Sequence, residues 1–192
     1  MEWIVTLVDR FVTEPDDLAR ARALVLTMIT GGAEGAAAFL QLCRLIGESV
    51  SDSEQLLAAT DLVDQSIVAR TGALVIASFA RVRMEYPSRP DAQVSRQALS
   101  DLADTVTEDA GAAFGADLHS WLVRLVGEAV LQISAIAATR APLVRVETGI
   151  SLPSTLLAYD LYGDSGRAED LVARSRSGTP LVMPVVFEAL AS

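Results

Sequence analysis

The side chains that most often carry catalysis are scarce in this chain. His119 is the single histidine, and a Ser-His-Asp triad built on it would need a hydroxyl such as Ser120 and an orienting carboxylate. Asp117 is two residues away and would point to a different side of a helix. A zinc site would need several His or Cys ligands, and the chain has one of each. We therefore interpret His119 as an ordinary helix residue, and we predict no enzymatic activity, no metal and no cofactor.

A run of acidic residues lies between Arg96 and Arg124 with no arginine inside it. The run comprises Asp101, Asp104, Glu108, Asp109 and Asp117. Paired carboxylates can perform acid–base chemistry or bind Mg²⁺ or Ca²⁺. The spacing of an EF-hand is missing, however, and the apolar residues of this segment direct the acids towards water. We interpret the run, together with Asp61 and Asp64, as a solvated face.

The single cysteine, Cys43, lies inside an apolar run and has no second cysteine with which to form an intramolecular disulfide. Thiol reactivity requires a stabilised thiolate, which an apolar setting disfavours. We predict a buried, unreactive thiol.

Four arginines flank a proline-containing break that also holds Tyr86. They are Arg81, Arg83, Arg89 and Arg96. Arginines beside an aromatic ring can contact a phosphate or a base, and they can equally contact an acidic partner or form surface salt bridges. The chain has 15 arginines, no lysine and 25 acids, which gives a net charge of −10. Because such a field repels nucleic acid, direct DNA binding by this chain is doubtful.

The elements that would position these residues are mainly helical. Hydrophobic residues make up 51% of the chain, and the helix formers Ala and Leu dominate. Apolar spacing and breakers predict a helical bundle over residues 1–140, with short loops between antiparallel neighbours. The predicted helices cover about residues 1–12, 15–30, 34–48, 51–85, 91–113 and 116–140. The third of these begins after a Gly-rich stretch, and the fourth begins at a capping box formed by Ser51 and Glu54.

The first helix carries an apolar stripe that includes Trp3, Leu7 and Phe11. A chain with a mean hydropathy of +0.37 is expected to have more apolar surface than its own core can cover. Trp and Phe anchor interfaces well, so we predict a homo-oligomer with this stripe as the self-association surface. The alternative is that this helix closes the bundle of its own protomer.

The pattern changes at Pro142. Residues 143–148 alternate apolar and polar, which is typical of a strand, and Met183–Leu190 could form a second strand. Two short helical segments lie between them, beginning near Ser151 and near Gly166. We therefore predict a small βααβ module over residues 141–192.

This module resembles the C-terminal end of the DNA circularisation proteins of Mu-like phages and prophages. The resemblance covers residues 144–190 and depends on LPSTLLAYDLYGD (Leu152–Asp164) followed by RAEDLVAR (Arg167–Arg174). It implies a structural protein of the phage tail or baseplate, made in the bacterial cytoplasm and incorporated into the virion tail. Its implied partners are other tail and baseplate proteins.

The layout is also similar to that of a LysM module, a two-stranded sheet packed on two helices. In LysM modules the ligand lies between the loop after the first strand and the loop before the second. By position, the loop residues that would face a glycan or a partner protein are Thr148, Gly149, Ser151, Leu152, Ser175, Gly178 and Pro180. Peptidoglycan binding is thus the alternative function, although Ser175 stands where the family pattern usually has Asn.

Membrane insertion is not expected from the sequence. The longest uncharged run, Thr148–Tyr159, is shorter than the roughly 18 apolar residues that a spanning helix needs. The N-terminal residues also lack the basic region of a signal peptide. We therefore predict no membrane span.

Overall fold

The structure, a computed structural model, describes residues 2–61 and 66–191 and is mainly α-helical, which confirms the predicted fold class. Two strands accompany the helices, β1 (Leu143–Glu147) and β2 (Val186–Leu190), and the short 3-10 turn Ser165–Arg167 precedes the last helix. The helices are α1 (Glu2–Phe11), α2 (Pro15–Ile29), α3 (Gly32–Ser49), α4 (Ser53–Thr60), α5 (Ile67–Arg83), α6 (Arg89–Phe114), α7 (Ala116–Thr139), α8 (Ser154–Tyr162) and α9 (Ala168–Ser175).

The chain divides into two compact units. The N-terminal unit comprises Met1–Glu85 and Gln93–Ile136, and the C-terminal unit comprises Tyr86–Ala92 and Ala137–Ser192. The predicted boundary after residue 140 lies close to Ala137, but the sequence did not indicate that residues 86–92 belong with the C-terminal unit. Two contacts link this segment to the rest of that unit: the backbone N–H of Arg89 donates to the carbonyl of Ala141 (3.0 Å), and Asp91 forms a salt bridge with Arg174 (3.8 Å).

In the N-terminal unit, α1 packs into the core of its own protomer. Leu7 and Phe11 are 4% and 8% exposed, and the indole of Trp3 meets the ring of Phe39 edge to face, with centroids 6.3 Å apart. The structure therefore corrects the prediction of a self-association surface on Trp3, Leu7 and Phe11. The alternative is correct, because α3 covers the apolar stripe of α1 within the same chain.

The single helix predicted over residues 51–85 is wrong. Helix α4 ends at Thr60, and Ser66 has an extended backbone before α5 begins. The Ser66 hydroxyl accepts a hydrogen bond from the backbone N–H of Ala69 (3.3 Å), which satisfies a free donor at the start of α5. The cap of α4 is Asp52 and not Ser51. Asp64, predicted to lie on a solvated face, is outside the described part of the chain.

Helix α7 qualifies the expectation of no membrane span. Among the described residues it is the one helix long and apolar enough to cross a membrane by length and composition, with a mean hydropathy of 1.5 over its best window. The core helix of a soluble protein passes the same test. Only 28% of that window is buried, so the length and composition of α7 fit a membrane span as well as a core helix. Its buried residues recur on one face: Leu122, Val126, Ala129, Ile133 and Ala137.

The C-terminal unit has the predicted order of strand, helix, helix and strand. Strands β1 and β2 pair antiparallel, with Val144 opposite Ala189 and Val146 opposite Phe187. The core between the sheet and the helices contains Leu157, Ala158, Ala168, Leu171, Met183, Phe187 and Ala189. Leu157 and Leu171 are buried, and Leu161 and Val172 are partly buried. Leu156, on the same helix as Leu157, is 45% exposed.

Candidate functional site

The candidate site is formed by two loops of the C-terminal unit, residues 148–153 and 176–185, which we call the paired loops. Backbone hydrogen bonds join the first loop to the last residues of the second. The N–H of Thr148 donates to the carbonyl of Val185 (3.0 Å), and the N–H of Met183 donates to the carbonyl of Leu152 (3.0 Å). The hydroxyl of Ser151 also donates to the carbonyl of Met183. The two loops predicted from the sequence therefore lie side by side and form one surface.

The first loop holds four of the predicted site residues. Thr148 donates its hydroxyl to the carbonyl of Ile150 (2.7 Å), which tightens the turn after β1. Gly149 has a φ of 73°, a conformation that favours glycine. Leu152 is partly buried and packs against the core of the C-terminal unit, so its side chain serves the fold. Ser151 uses its hydroxyl to bind the second loop. The first loop is thus a fixed turn whose polar side chains are already engaged.

The second loop and its approach hold the other three. Ser175 is the last residue of α9 and donates its hydroxyl to the carbonyl of Val172 (3.1 Å), so it ends the helix and lies outside the loop proper. Gly178 is exposed. Pro180 accepts a hydrogen bond from the backbone N–H of Ser154 (2.8 Å), which ties the loop to the start of α8. Met183, which the sequence analysis did not select, is fully buried and anchors this loop in the core.

Large aliphatic side chains of the paired loops are exposed in this surface. Ile150 is 64% exposed, Leu181 is 73% exposed and Val182 is 58% exposed. The loops carry no acidic residue, and their one basic residue is Arg176 at the edge next to α9. Several of their backbone polar groups are occupied by the hydrogen bonds between the loops. The surface can therefore bind an apolar partner, and it offers little charge to attract an anion or a nucleic acid.

The Leu-Tyr-Gly-Asp segment that carries the family resemblance closes the C-terminal unit. Gly163 ends α8 in the left-handed conformation, with a φ of 69°. Asp164 accepts a hydrogen bond from the backbone N–H of Gly166 (2.8 Å) and so caps the 3-10 turn that follows. The hydroxyl of Tyr162 accepts a hydrogen bond from the backbone N–H of Leu190 in β2 (2.9 Å). The guanidinium of Arg167 lies over the Tyr162 ring, 3.8 Å from its centroid. The motif residues thus act as structural residues.

The residues of the predicted arginine patch are divided between the two units. Arg81 in α5 donates to the hydroxyl of Ser95 (3.0 Å) and is therefore engaged within the N-terminal unit. Arg83 lines a polar cleft of about 480 Å³ with three acids, Asp52, Glu54 and Glu85. Arg96 is partly buried in the same unit.

The fourth arginine belongs to the other unit. Arg89 lies in the C-terminal unit, and Tyr86 beside it is only 3% exposed. The Tyr86 ring is therefore not available to stack on a base. The structure does not support the interpretation of Arg81, Arg83, Arg89 and Arg96 with Tyr86 as a nucleic-acid surface.

The remaining chemically interesting side chains have ordinary surroundings. The acids of α6 are exposed, and Asp109 forms a salt bridge with Arg70 (2.8 Å), so the predicted solvated face is confirmed.

Cys43 is fully buried, and this burial raises the pKa of its thiol. His119 packs against Gly111, where an added Cβ would lie 3.0 Å from the imidazole. Within residues 2–61 and 66–191, no three His, Cys, Asp or Glu side chains are close enough to hold a metal ion together.

Comparison with known proteins adds no family assignment, because the sequence matches no protein-family model and no curated protein.

Proposed function

We propose that this chain is a non-enzymatic structural protein of the tail or baseplate of a Mu-like phage or prophage, of the DNA circularisation protein family. The observation that carries the proposal is the apolar surface of the paired loops. Three large aliphatic side chains, Ile150, Leu181 and Val182, are each more than half exposed on loops that hydrogen bonds hold together. A surface of this kind suits the docking of another protein subunit.

The motif that carries the resemblance supports the same proposal. Tyr162, Gly163 and Asp164 each contribute to closing the βααβ unit, through a hydrogen bond to β2, a helix end and a cap. Residues with such roles are expected in a module whose function depends on its shape. The proposal places the protein in the virion tail after synthesis in the bacterial cytoplasm, with other tail or baseplate subunits as partners.

Peptidoglycan binding by a LysM-type module is the second candidate. The observation in its favour is that the loop after β1 and the loop before β2 lie side by side, as they do around the glycan in LysM modules. A glycan is bound largely through hydrogen bonds, however, and the backbone groups of Thr148, Leu152 and Met183 are already paired between the loops. The apolar surface therefore favours a protein partner over a sugar.

Direct DNA binding is not part of the proposed role. The net charge is −10. Arg81 donates a hydrogen bond to Ser95, and Arg83 lies in a cleft with three acidic residues. A function in DNA circularisation would then depend on partner proteins of the tail.

The test is whether the chain joins the tail through the paired loops. Tail particles are prepared from the prophage that carries the gene, after deletion and complementation with tagged wild type or variants. Immunogold electron microscopy then scores labelled tails, and purified peptidoglycan is tested in parallel by cosedimentation. We expect wild type on tails and not in the peptidoglycan pellet.

A matched pair of substitutions locates the contact. Val182→Asp places a charge on the paired loops, and Val94→Asp places the same charge on α6, where the valine is 69% exposed. We expect Val182→Asp to be lost from tails and Val94→Asp to remain. Tails that never contain the wild-type chain would refute the proposal, and cosedimentation with peptidoglycan that Val182→Asp abolishes would establish the alternative.

A further inference from the structure

The strand β1 has an open edge. Thr148, just after β1, donates its N–H to Val185, and Pro142, just before β1, accepts from Ala191. Backbone groups alternate in direction along a strand, so Val144 and Val146 face β2, whereas Leu143, Arg145 and Glu147 present their N–H and C=O groups on the opposite edge. Within the described part of the chain, no hydrogen bond reaches these three outward-facing backbones.

The outer edge of β2 differs from that of β1. The N–H of Leu190 points away from β1 and is already bound by the hydroxyl of Tyr162. Helix α9 also packs on β2. Val186 and Glu188 also turn their backbone groups away from β1, but the bond from Leu190 to Tyr162 interrupts that row, so a further strand adds more readily at β1 than at β2.

The charges of β1 select a partner strand. Arg145 and Glu147 are two residues apart on one face, are 71% and 66% exposed, and form a salt bridge with each other (3.1 Å), which a second copy would extend into a network of four charges. A second copy of β1 can lie antiparallel to the first along this edge. The two strands are then related by a two-fold axis, and we consider the register in which Val146 lies on that axis, opposite Val146 of the second copy. Arg145 then lies opposite Glu147 of the second copy, and by symmetry Glu147 lies opposite Arg145 of that copy. Both residues present outward backbone groups, so each opposed pair can exchange two backbone hydrogen bonds.

Neighbouring registers lack this complementarity. With Arg145 on the axis, two arginines would face each other, and with Glu147 on the axis, two glutamates would do so. Like charges directly opposite are unfavourable, whereas opposite charges are favourable. With Val146 on the axis, the two Val146 side chains also meet on the face that packs against the core of the C-terminal unit. One register therefore satisfies the backbone, the charges and the apolar side chains together.

We propose that two copies of this chain associate through β1, in this register, to form a continuous four-stranded antiparallel sheet. The occupant of the open edge is thus a second copy of the same strand. The contact is isologous and closes after two subunits. It replaces α1, whose stripe is buried within the protomer, as the site of self-association.

Sedimentation velocity from about 5 to about 500 µM protein provides the first test. We expect a concentration-dependent dimer for wild type. Arg145→Glu and Glu147→Arg should each weaken dimerisation by at least about tenfold, because both symmetry-related pairs become repulsive. The double variant Arg145→Glu/Glu147→Arg should recover the wild-type dimer, since it restores opposite charges in the same register. Asp160→Arg, which reverses an exposed charge on α8, is the control and should dimerise as wild type does.

Disulfide trapping tests the register without changing a charge. Val146→Cys would place two thiols opposite each other at a non-hydrogen-bonded antiparallel pair, where the Cα separation of about 4.5 Å suits a disulfide. We expect oxidation to yield a covalent dimer of Val146→Cys but not of Val144→Cys, which would face Thr148 of the second copy. Cys43 is buried, and the unsubstituted chain serves as the blank.

Circular dichroism confirms that each variant is folded. A wild-type monomer over the whole concentration range would overturn the proposal. A dimer that survives both single charge reversals, or that traps Val144→Cys as readily as Val146→Cys, would overturn it as well.

Discussion

The substitution Gly47→Ala tests how closely α3 and α5 pack in the N-terminal unit. A Cβ added at Gly47 would lie 2.8 Å from the carbonyl oxygen of Ile76 and 2.8 Å from the Cβ of Phe79. These two atoms belong to the backbone or are fixed to it, so no side-chain rotation can remove the clash. The helices themselves would have to move apart.

The magnitude follows from two opposing effects. Ordinary contact begins near 3.4 Å, so α3 and α5 must separate locally by roughly 0.6 Å, which forfeits a quarter or more of the dispersion attraction of the atoms at the crossing. Overpacking of this kind costs about 1–3 kcal/mol. Replacing a helical glycine by alanine gains up to about 1 kcal/mol, and less near a helix end such as this one. The clash dominates, and we expect a net destabilisation of roughly 1–2 kcal/mol.

Thermal unfolding followed by circular dichroism measures the effect, with Gly127→Ala as the matched control. Gly127 lies inside α7, and an added Cβ there meets no atom within 4 Å. We expect Gly47→Ala to lower the melting temperature by about 3–6 °C and Gly127→Ala to raise it by about 1–3 °C. If Gly47→Ala melts at or above the wild-type temperature, the close approach of α3 and α5 is not as described.

Three further predictions concern other parts of the fold. Leu7→Asp should unfold the N-terminal unit, because it buries an unpaired charge, and circular dichroism measures the loss of helix. If the variant stays folded and light scattering shows that it has dissociated to a monomer, α1 is an interface after all. Tyr162→Phe should reduce the free energy of unfolding in urea by about 1 kcal/mol, because the N–H of Leu190 loses its acceptor, and an unchanged value would mean that the bond contributes nothing. Cys43 should resist a thiol reagent at pH 8 in the native protein and react fully in denaturant. Burial raises the pKa of its thiol and keeps the reagent from reaching the sulfur, so rapid reaction of the native protein would contradict this prediction.

The sequence was sufficient to predict the elements that strong local signals delimit. Pro87 lies between α5 and α6, and Pro90 lies in the first turn of α6. Ser88 accepts a hydrogen bond from the N–H of Asp91 at the start of α6, as a cap should. The alternation in residues 143–148 predicted β1, and the apolar run after Pro184 predicted β2. Such signals act between residues close in the chain, so they can be read without the tertiary structure.

The sequence did not indicate that α4 and α5 are separate helices, because it has no comparable local signal between them. No glycine or proline lies between Thr60 and Ser66, and the apolar spacing continues through both helices. The cap formed by Ser66 is a single hydroxyl among many, and the sequence does not distinguish it from a serine on a helix surface. The local sequence therefore does not indicate the boundary between α4 and α5.

Only the tertiary structure decided which surfaces are covered and which are open. The stripe of α1 is apolar whether it faces α3 or a second protomer, and burial in its own chain settled the question for Leu7 and Phe11. The arginines near Tyr86 are close in sequence, but Arg81 and Arg89 belong to different units. The open edge of β1 likewise depends on the pairing with β2. Amino-acid type determines what a side chain can bind, whereas contacts between residues distant in the chain determine whether it is free to do so.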